Sequence, residues 1–437
     1  MEHYHRFPPS HRYILLLFET QFVMAKEGLD GAYQRQPESQ RSDDPFTRVW
    51  YRYELVSIIL FAAIGTTGLV QLALALIDPV FVIRPGDAQT YVELAHAPFE
   101  AVSAPFTYRV LTPLLVYLLP TSAVAGFTIV NLTGIVATTV VFYYYLREFG
   151  LSLGVRIAGV ATLLLSPMLA YTVINIGLTD VLGFLFLALC LYAAKTDHHL
   201  LFASSLFVGV LARETVLLAV PVYLLYVWWK GEPSEITKVL ADTVPAAAAF
   251  WYVRLVYGLE GYLTIESVMQ TISAHMTKLE TSLFYLPYEI YSVFGTFWLV
   301  AVLAARRIDD AFLKVGLYVF PLVFLQPLIA RDIARVLFIG FPIVIPASLV
   351  LVSQEGLLSG RWKQAIVAVS GVSVVAGLIS VVFVLPALAE FIVSIDVGEL
   401  QYLAVTKIAH EAVIVLAVGY CLWNRPTARS DSDTATD

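Results

Sequence analysis

The chain has 437 residues, of which 59% are hydrophobic and only 14% charged, whereas soluble proteins run near one-quarter charged. With a mean hydropathy of +0.76 and repeated apolar runs, it reads as a polytopic membrane protein rather than a soluble globular one. The net charge of -7 says little about partners because the charges lie in loops, and nothing in it points to nucleic acid.

A span needs about 20 apolar residues to cross the hydrocarbon core. Backbone polar groups in lipid must be satisfied internally, so the spans are expected to be helices; the short alternating segments of a barrel are absent. Cys190 and Cys421 fall inside apolar runs and suggest neither a disulfide nor a metal site.

Residues 1–53 form a polar segment, expected to be cytoplasmic, with one apolar run from Tyr13 to Ala25 that contains Glu19 and is too short to span. The polar MAKEGLDGAY that follows it offers no small-residue cleavage site, so an interfacial helix or a disordered tail is expected there rather than a signal peptide. Arg35, Arg41, Arg48 and Arg52 precede the first strong span and favour a cytoplasmic N-terminus. A transmembrane catalytic domain is expected over 54–423, and a disordered acidic cytoplasmic tail over 424–437. About twelve spans are expected, near 54–77, 124–146, 157–174, 180–194, 200–212, 215–229, 240–257, 284–304, 312–329, 333–352, 364–387 and 405–423.

Phe106–Pro120 is apolar but brief. If it does not span, the basic loops all fall on one side: Arg147 and Arg156, Lys195, Lys230 and Lys238, Arg306, Arg307 and Lys314, Arg361 and Lys363, Arg425 and Arg429. The positive-inside rule therefore makes it a re-entrant or interfacial segment and puts both termini in the cytoplasm. Trp228, Trp229 and Lys230 form an interface anchor at an inner end. The opposite, extracytoplasmic side then collects Asp87, Glu93, His96, Arg109, Asn175, Asp180, Arg213, Glu214, Lys278, Arg331, Asp332 and Arg335, many of them in apolar surroundings where charges need partners.

The stretch Arg84–Pro113 organises this set. Asp87 follows Pro85 and Gly86 and opens a short helical segment, so it is either a helix N-cap or a general base or charge partner; a capping carboxylate is also held rigid and ionised. Tyr91 lies one turn on, on the same face. Glu93 and His96 form an i, i+3 pair that reads as a solvated face; a divalent metal stays open as an alternative, without fixed ligand spacing. Arg109 either snorkels to the interface or clamps an anion or an acidic site residue. Asn175 and Asp180 sit in NIGLTDVLG, where Thr179 or Asp180 caps the next helix or Asp180 faces Asp87 as a second carboxylate. Arg213 and Glu214 interrupt an apolar run and are expected in a tight turn at the outer surface, where Arg213 could reach a phosphate and Glu214 could orient it. In RDIAR, Arg331 and Arg335 share a face near a helix N-terminus that disfavours cations. Asp332 would serve one of them; a phosphate would serve both. No Walker loop, GxGxxG, HExxH or GxSxG in its strand context is present, and the sequon at Asn131 is discounted because it lies in a span.

GDAQTYVELA and PFTYRVLTPLL, following one span from a cytoplasmic N-terminus, together with the charged tip in VLARETVLLAVP, resemble the polytopic glycosyltransferases of the GT-C fold over residues 54 to about 352. That resemblance implies an all-α transmembrane bundle with interfacial helices in the first external loop. It implies transfer of a sugar from a polyprenyl (dolichyl or undecaprenyl) phosphate, as in mannosyltransferase-like members of the cell envelope, to a glycan, lipid or protein acceptor on the extracytoplasmic face. It matches Asp87 to a catalytic base, and Arg213, Arg331 and Arg335 to basic residues that hold the lipid-linked phosphate; Arg109 and Asp180 are then expected to position these groups. Many members pair two acids in this loop; here Asp87 stands alone, which leaves metal use open. Two readings of other classes compete. A secondary transporter or lipid flippase predicts ionisable residues near mid-span and repeat symmetry; a non-catalytic assembly protein predicts that the external charges are dispensable.

Overall fold

The apolar runs fold as helices, and the computed structural model describes residues 53–77, 86–98, 105–257, 265–281, 285–328, 332–353, 360–379 and 397–423. Among the described residues there is no strand. Arg331, the expected N-terminal segment up to residue 52 and the expected tail lie outside the described residues. In order, the helices are α1 (Glu54–Leu76), α2 (Asp87–His96), α3 (Leu111–Leu118), α4 (Ala123–Arg147), α5 (Leu153–Leu164), α6 (Pro167–Ile174), α7 (Asp180–Lys195), α8 (His199–Ala212), α9 (Ala219–Lys230), α10 (Pro233–Tyr257), α11 (Ile265–Thr281), α12 (Tyr285–Phe294), α13 (Phe297–Arg307), α14 (Ala311–Val319), α15 (Ile333–Leu337), α16 (Phe341–Ser353), α17 (Gly360–Ile379) and α18 (Val397–Trp423).

Among the described residues five helical stretches are long and apolar enough to cross a membrane: α1, α4, most of α10, the Ile333–Ser353 run through α15 and α16, and Tyr402–Tyr420 of α18. The pair α5 and α6 makes a sixth if its 43° bend is one broken span. The expected count of about twelve is thus not matched by continuous long helices, and the sequence supplies the breaks. Ser166 accepts from Leu169 N and Pro167 follows it, which starts a new helix at α6. Gly295, at φ +52°, divides the expected 284–304 span into α12 and α13, a backbone geometry that favours glycine. Pro321 and Pro327 lie in a 3-10 stretch, Phe320–Leu328, where the expected 312–329 span continues past α14. The eight residues of α3 reach only about 12 Å at 1.5 Å per residue, so Phe106–Pro120 is too short to cross.

Burial sorts the long helices. In the Ile333–Ser353 run 94% of the most apolar window is buried inside the protein, against 28% for α1 and 22% for α10. A helix that is apolar all round belongs inside a bundle or in a membrane; the Ile333–Ser353 run takes the inside position. The outward side chains of α1 and α10, such as Ile59, Leu60, Ile64, Trp251 and Leu255, are exposed and apolar, which suits a lipid boundary. Composition and these helices together make the chain an integral membrane protein.

The 25-residue α4 is the strut of the bundle, packed along α1, α5 and α7. It approaches α7 closely, since a Cβ at Gly134 would stand 2.7 Å from Val181 Cγ1. At its C-terminal end Glu54 is buried and accepts from Tyr143 Oη at 2.8 Å and from the Nη1 atoms of Arg147 and Arg156 at 3.2 Å each. This charged cluster was not anticipated from the sequence. Lys195, at the C-terminal end of α7, pairs with Asp310 at 2.6 Å, and Lys230 pairs with Asp197 at 3.1 Å. Arg147, Arg156, Lys195 and Lys230 therefore gather at one end of the bundle.

The other end carries α2, α3 and the loop between α6 and α7. Asn131, fully buried on the N-terminal half of α4, donates through Nδ2 to the carbonyls of Ile176 and Leu178 and so fixes the backbone that leads into Asp180. Helix α2 lies directly on this loop: a Cβ at Gly177 would be 2.8 Å from Ala88 Cβ and 3.1 Å from its Cα. Backbone cannot yield as a side-chain tip can. Replacing Gly177 by Ala is expected to lift α2 from the loop and to cost about 1–3 kcal/mol, read as a lowered melting temperature of the detergent-solubilised protein.

Candidate active site

Helix α2 begins sharply because Gly86 takes φ +107°, a conformation a Cβ would oppose. Asp87 follows as the first helical residue, with Gly86 in the N-cap position. The capping role considered for it is therefore not what the structure shows. Its Oδ2 accepts instead from Arg335 Nη2 at 2.8 Å, across 248 residues of sequence, while its side chain stays 38% exposed. Glu93 and His96, on the other face of α2, are exposed; Glu93 accepts from Gln89 Nε2 at 3.3 Å, as a solvated face would. Among the described residues no group of three His, Cys, Asp or Glu side chains is arranged to hold a metal ion.

Tyr91, one turn further on, is 1% exposed and packs edge-on against Phe106. Its hydroxyl accepts from Arg109 Nη1 at 2.8 Å. Arg109 is buried rather than snorkelling, and it reaches an acidic residue. Nε donates to Glu214 Oε2 at 3.2 Å and Nη2 to Glu214 Oε1 at 2.7 Å, a forked pairing of the strong kind. The guanidinium thus spends its three nitrogens on Tyr91 and Glu214. Burial alone would lower its pKa, but Glu214 and Tyr91 raise it well above the usual value.

Arg213 and Glu214 were expected in a tight turn at the outer surface. The structure places them inside. Arg213 is 2% exposed and forms an ion pair with Asp180, itself 2% exposed. The turn is real: Arg213 is extended, at φ -163° and ψ 130°, between α8 and the 3-10 turn Glu214–Leu218. The extended residue sends its own side chain to Asp180 on α7 and lets its neighbour reach Arg109. A surface turn would be cheaper for an unpaired charge; these two are matched, so burial is tolerated. Gly183, one turn beyond Asp180, makes the room, because a Cβ there would stand 2.9 Å from Arg213 Cβ.

Thr179 occupies the N-cap of α7 without a side-chain cap bond, and Asp180 lies in the first turn, so neither caps by its side chain. Asn175 ends α6 and donates to Tyr171 O at 3.3 Å. Asp332 does cap: its Oδ1 accepts from Arg335 N at 3.2 Å and starts α15. The Nε of Arg335 lies 3.6 Å from Asp332 Oδ2 and 3.8 Å from Asp180 Oδ1, outside hydrogen-bond reach of both. Arg331, expected on the same face, lies outside the described residues.

The predicted residues therefore meet. Asp87, Arg335, Asp180 and Arg213 form one chain of ion pairs, and Tyr91, Arg109 and Glu214 form a second cluster joined to it through the consecutive residues Arg213 and Glu214. They come from α2, the segment before α3, α7, the α8–α9 connection and α15. The arrangement can hold a carboxylate, Asp87, at a partly open rim, against a guanidinium, Arg335, whose Nε is buried without a hydrogen bond. Asn131 belongs to this construction as a positioning group. Its polarity within an apolar run was the only sequence signal.

The sequence matches no family model and no curated protein. Among solved structures it is similar to ArnT from Cupriavidus metallidurans in the apo state, at 13% sequence identity and a TM-score of 0.46, over 85% of this chain and 77% of that chain.

Glu214 gives the cluster a pH signature. Burial pushes its carboxyl up, but the charge and hydrogen bonds of Arg109, with Arg213 beside it, hold it at about 2 against an ordinary 4.5. A carboxylate depressed on folding adds stability that is fully present above its unfolded pKa and is lost as pH falls through the folded one. Thermal stability is therefore expected to drop between about pH 4.5 and 2 from this group. In Glu214→Gln that contribution to the drop is absent and stability at neutral pH is lower by about 3–5 kcal/mol, the cost of leaving a buried Arg109 unmatched; melting curves across pH check both.

Proposed function

We propose that this chain is an integral membrane glycosyltransferase of GT-C type that moves a sugar from a polyprenyl phosphate donor to an acceptor hydroxyl or amine on the extracytoplasmic face. The observation that carries the reading is the Asp87–Arg335 pair at 2.8 Å, a partly exposed carboxylate beside a guanidinium, held by a buried charge network drawn from separate segments. The motif resemblance around Asp87 and Arg109 supports the same reaction class. Arg147, Arg156, Lys195 and Lys230 cluster at the opposite end of the bundle, and the positive-inside rule favours that end as cytoplasmic.

In this mechanism the carboxylate of Asp87 accepts the proton of the acceptor group. The acceptor atom bonds to the anomeric carbon of the sugar as the bond from that carbon to the phosphate oxygen breaks. The electron pair leaves on the phosphate, and Arg335, with Arg331 four residues before it in the sequence, stabilises the added negative charge. Arg213 and Asp180 set the position of Arg335 from behind. Arg109, Glu214 and Tyr91 act as scaffold, because their hydrogen bonds are already mutually committed.

A second reading has one observation in its favour. His410 and Glu411 are each 1% exposed within the α18 span. Among the described residues His410 has no hydrogen-bond partner at either ring nitrogen, and ionisable groups at such depth mark ion pathways in transporters. Proton-coupled solute flux in liposomes that survives Asp87→Asn would favour transport over transfer.

Purified protein in lipid, given radiolabelled polyprenyl-phosphate sugars, is expected to show transfer. Asp87→Asn is expected to lower the rate by about 10²–10⁴-fold, the usual worth of a general base, with the melting temperature near that of the parent. A rate equal to the parent's removes Asp87 as the base.

A further inference from the structure

Resting on the reading just given, we propose that the donor phosphate itself switches the base on: the Asp87–Arg335 bridge is a latch, and a phosphate monoester or diester opens it by taking Arg335, so that the acceptor-activating carboxylate is released only when the donor is bound.

The groups around Arg335 support this. Its Nη2 is held by Asp87 at 2.8 Å. Its Nε is buried and makes no hydrogen bond, with Asp332 and Asp180 at 3.6 Å and 3.8 Å. Neither of those acids is a competitor of the Asp87 kind. Asp332 spends Oδ1 on the Arg335 backbone N–H, and Asp180 is matched by Arg213. The Nε of Arg213, 2% exposed, is a second buried donor without a partner among the described residues. Two guanidiniums thus keep buried N–H groups unused, which is costly unless an acceptor arrives. A phosphate has enough oxygens to satisfy more than one of them at once.

Asp87 is the replaceable partner. Its side chain is 38% exposed, whereas those of Asp180 and Arg213 are 2% and 3% exposed. Released into water at the rim it is solvated, so exchanging Arg335 from carboxylate to phosphate strands no buried charge. The converse also holds: with no phosphate present, Asp87 remains engaged and the rim stays neutral. Donor binding therefore precedes productive acceptor binding, and a bound acceptor meets a freed base only beside a loaded donor.

The test is a competition and needs no turnover. Affinities of the full-length protein in detergent are measured for a polyprenyl monophosphate and, separately, for inorganic phosphate, by isothermal titration. If Asp87 competes for Arg335, then Asp87→Ala binds the polyprenyl phosphate about tenfold more tightly than the parent, a difference in the range expected for losing one charge-assisted hydrogen bond. Asp87→Asn, which still accepts a hydrogen bond but carries no charge, falls between. Arg335→Gln loses binding, and a circular dichroism melt confirms that each variant folds. Equal affinity in parent, Asp87→Asn and Asp87→Ala overturns the latch while leaving the transferase reading intact. Absence of polyprenyl phosphate binding in the parent and in Asp87→Ala overturns the reading beneath it. Tightening toward inorganic phosphate alone keeps the latch as an anion-controlled device and overturns the lipid-linked donor as its key.

Discussion

Charge buried in an apolar bundle must be matched, and two consecutive residues show how this protein does it. Arg213 turns to Asp180, and Glu214 turns to Arg109. Helix α8 has to end where it does, since a continued helix would not send these neighbours to their separate partners. The extended Arg213 between α8 and the following 3-10 turn is the local backbone solution. The close approach at Gly183 is the packing solution. Remove the pairing and the other features of this end of the bundle lose their reason, including the fixed loop before α7 and the seat of α2.

The network divides its labour by exposure. In the largely buried Tyr91–Arg109–Glu214 group every guanidinium nitrogen already donates to a partner within the group, which suits a scaffold. Asp87 and Arg335 are at the rim, joined by one hydrogen bond and otherwise incompletely satisfied. Binding energy from a ligand can be expressed there, because exchanging one partner for another does not unfold the support behind it.

Much of this was legible in the sequence, and the limits have physical causes. Low charge and repeated apolar runs were enough for an all-helical membrane bundle. Charges isolated in apolar surroundings picked out Asp87, Arg109, Asp180, Arg213, Glu214 and Arg335, because such groups must find partners. Which partner each would find was not legible. Arg109 and Glu214 are 105 residues apart, and Asp87 and Arg335 are 248 apart. Periodicity has no reach at such separations. That Arg213 and Glu214 turn inward to buried partners was hidden for the same reason, since the sequence shows each charge without the group that matches it. The helix breaks were hidden for a different reason: hydropathy sees an apolar run, while Ser166–Pro167, Gly295 and Pro321 break the backbone inside runs that remain apolar. Glu54 reads in sequence as the edge of the first span, though it anchors two arginines and a tyrosine.

The unbroken helix α4 has a mechanical consequence. It carries Asn131 and Phe127 beside the network at one end and Tyr143 and Arg147 on Glu54 at the other. Its 25 residues measure about 37 Å at 1.5 Å per residue, somewhat more than the ~30 Å of a hydrocarbon core. Phe127 and Arg147 lie 20 residues apart along it, about 30 Å at the same rise, so two charged poles are held at a fixed separation close to the thickness of the oil between them. Neither can change depth without the other. A thicker bilayer would draw the Asp87 rim toward hydrocarbon, and a thinner one would tilt the strut, so bilayer thickness becomes a variable to which the rim is coupled.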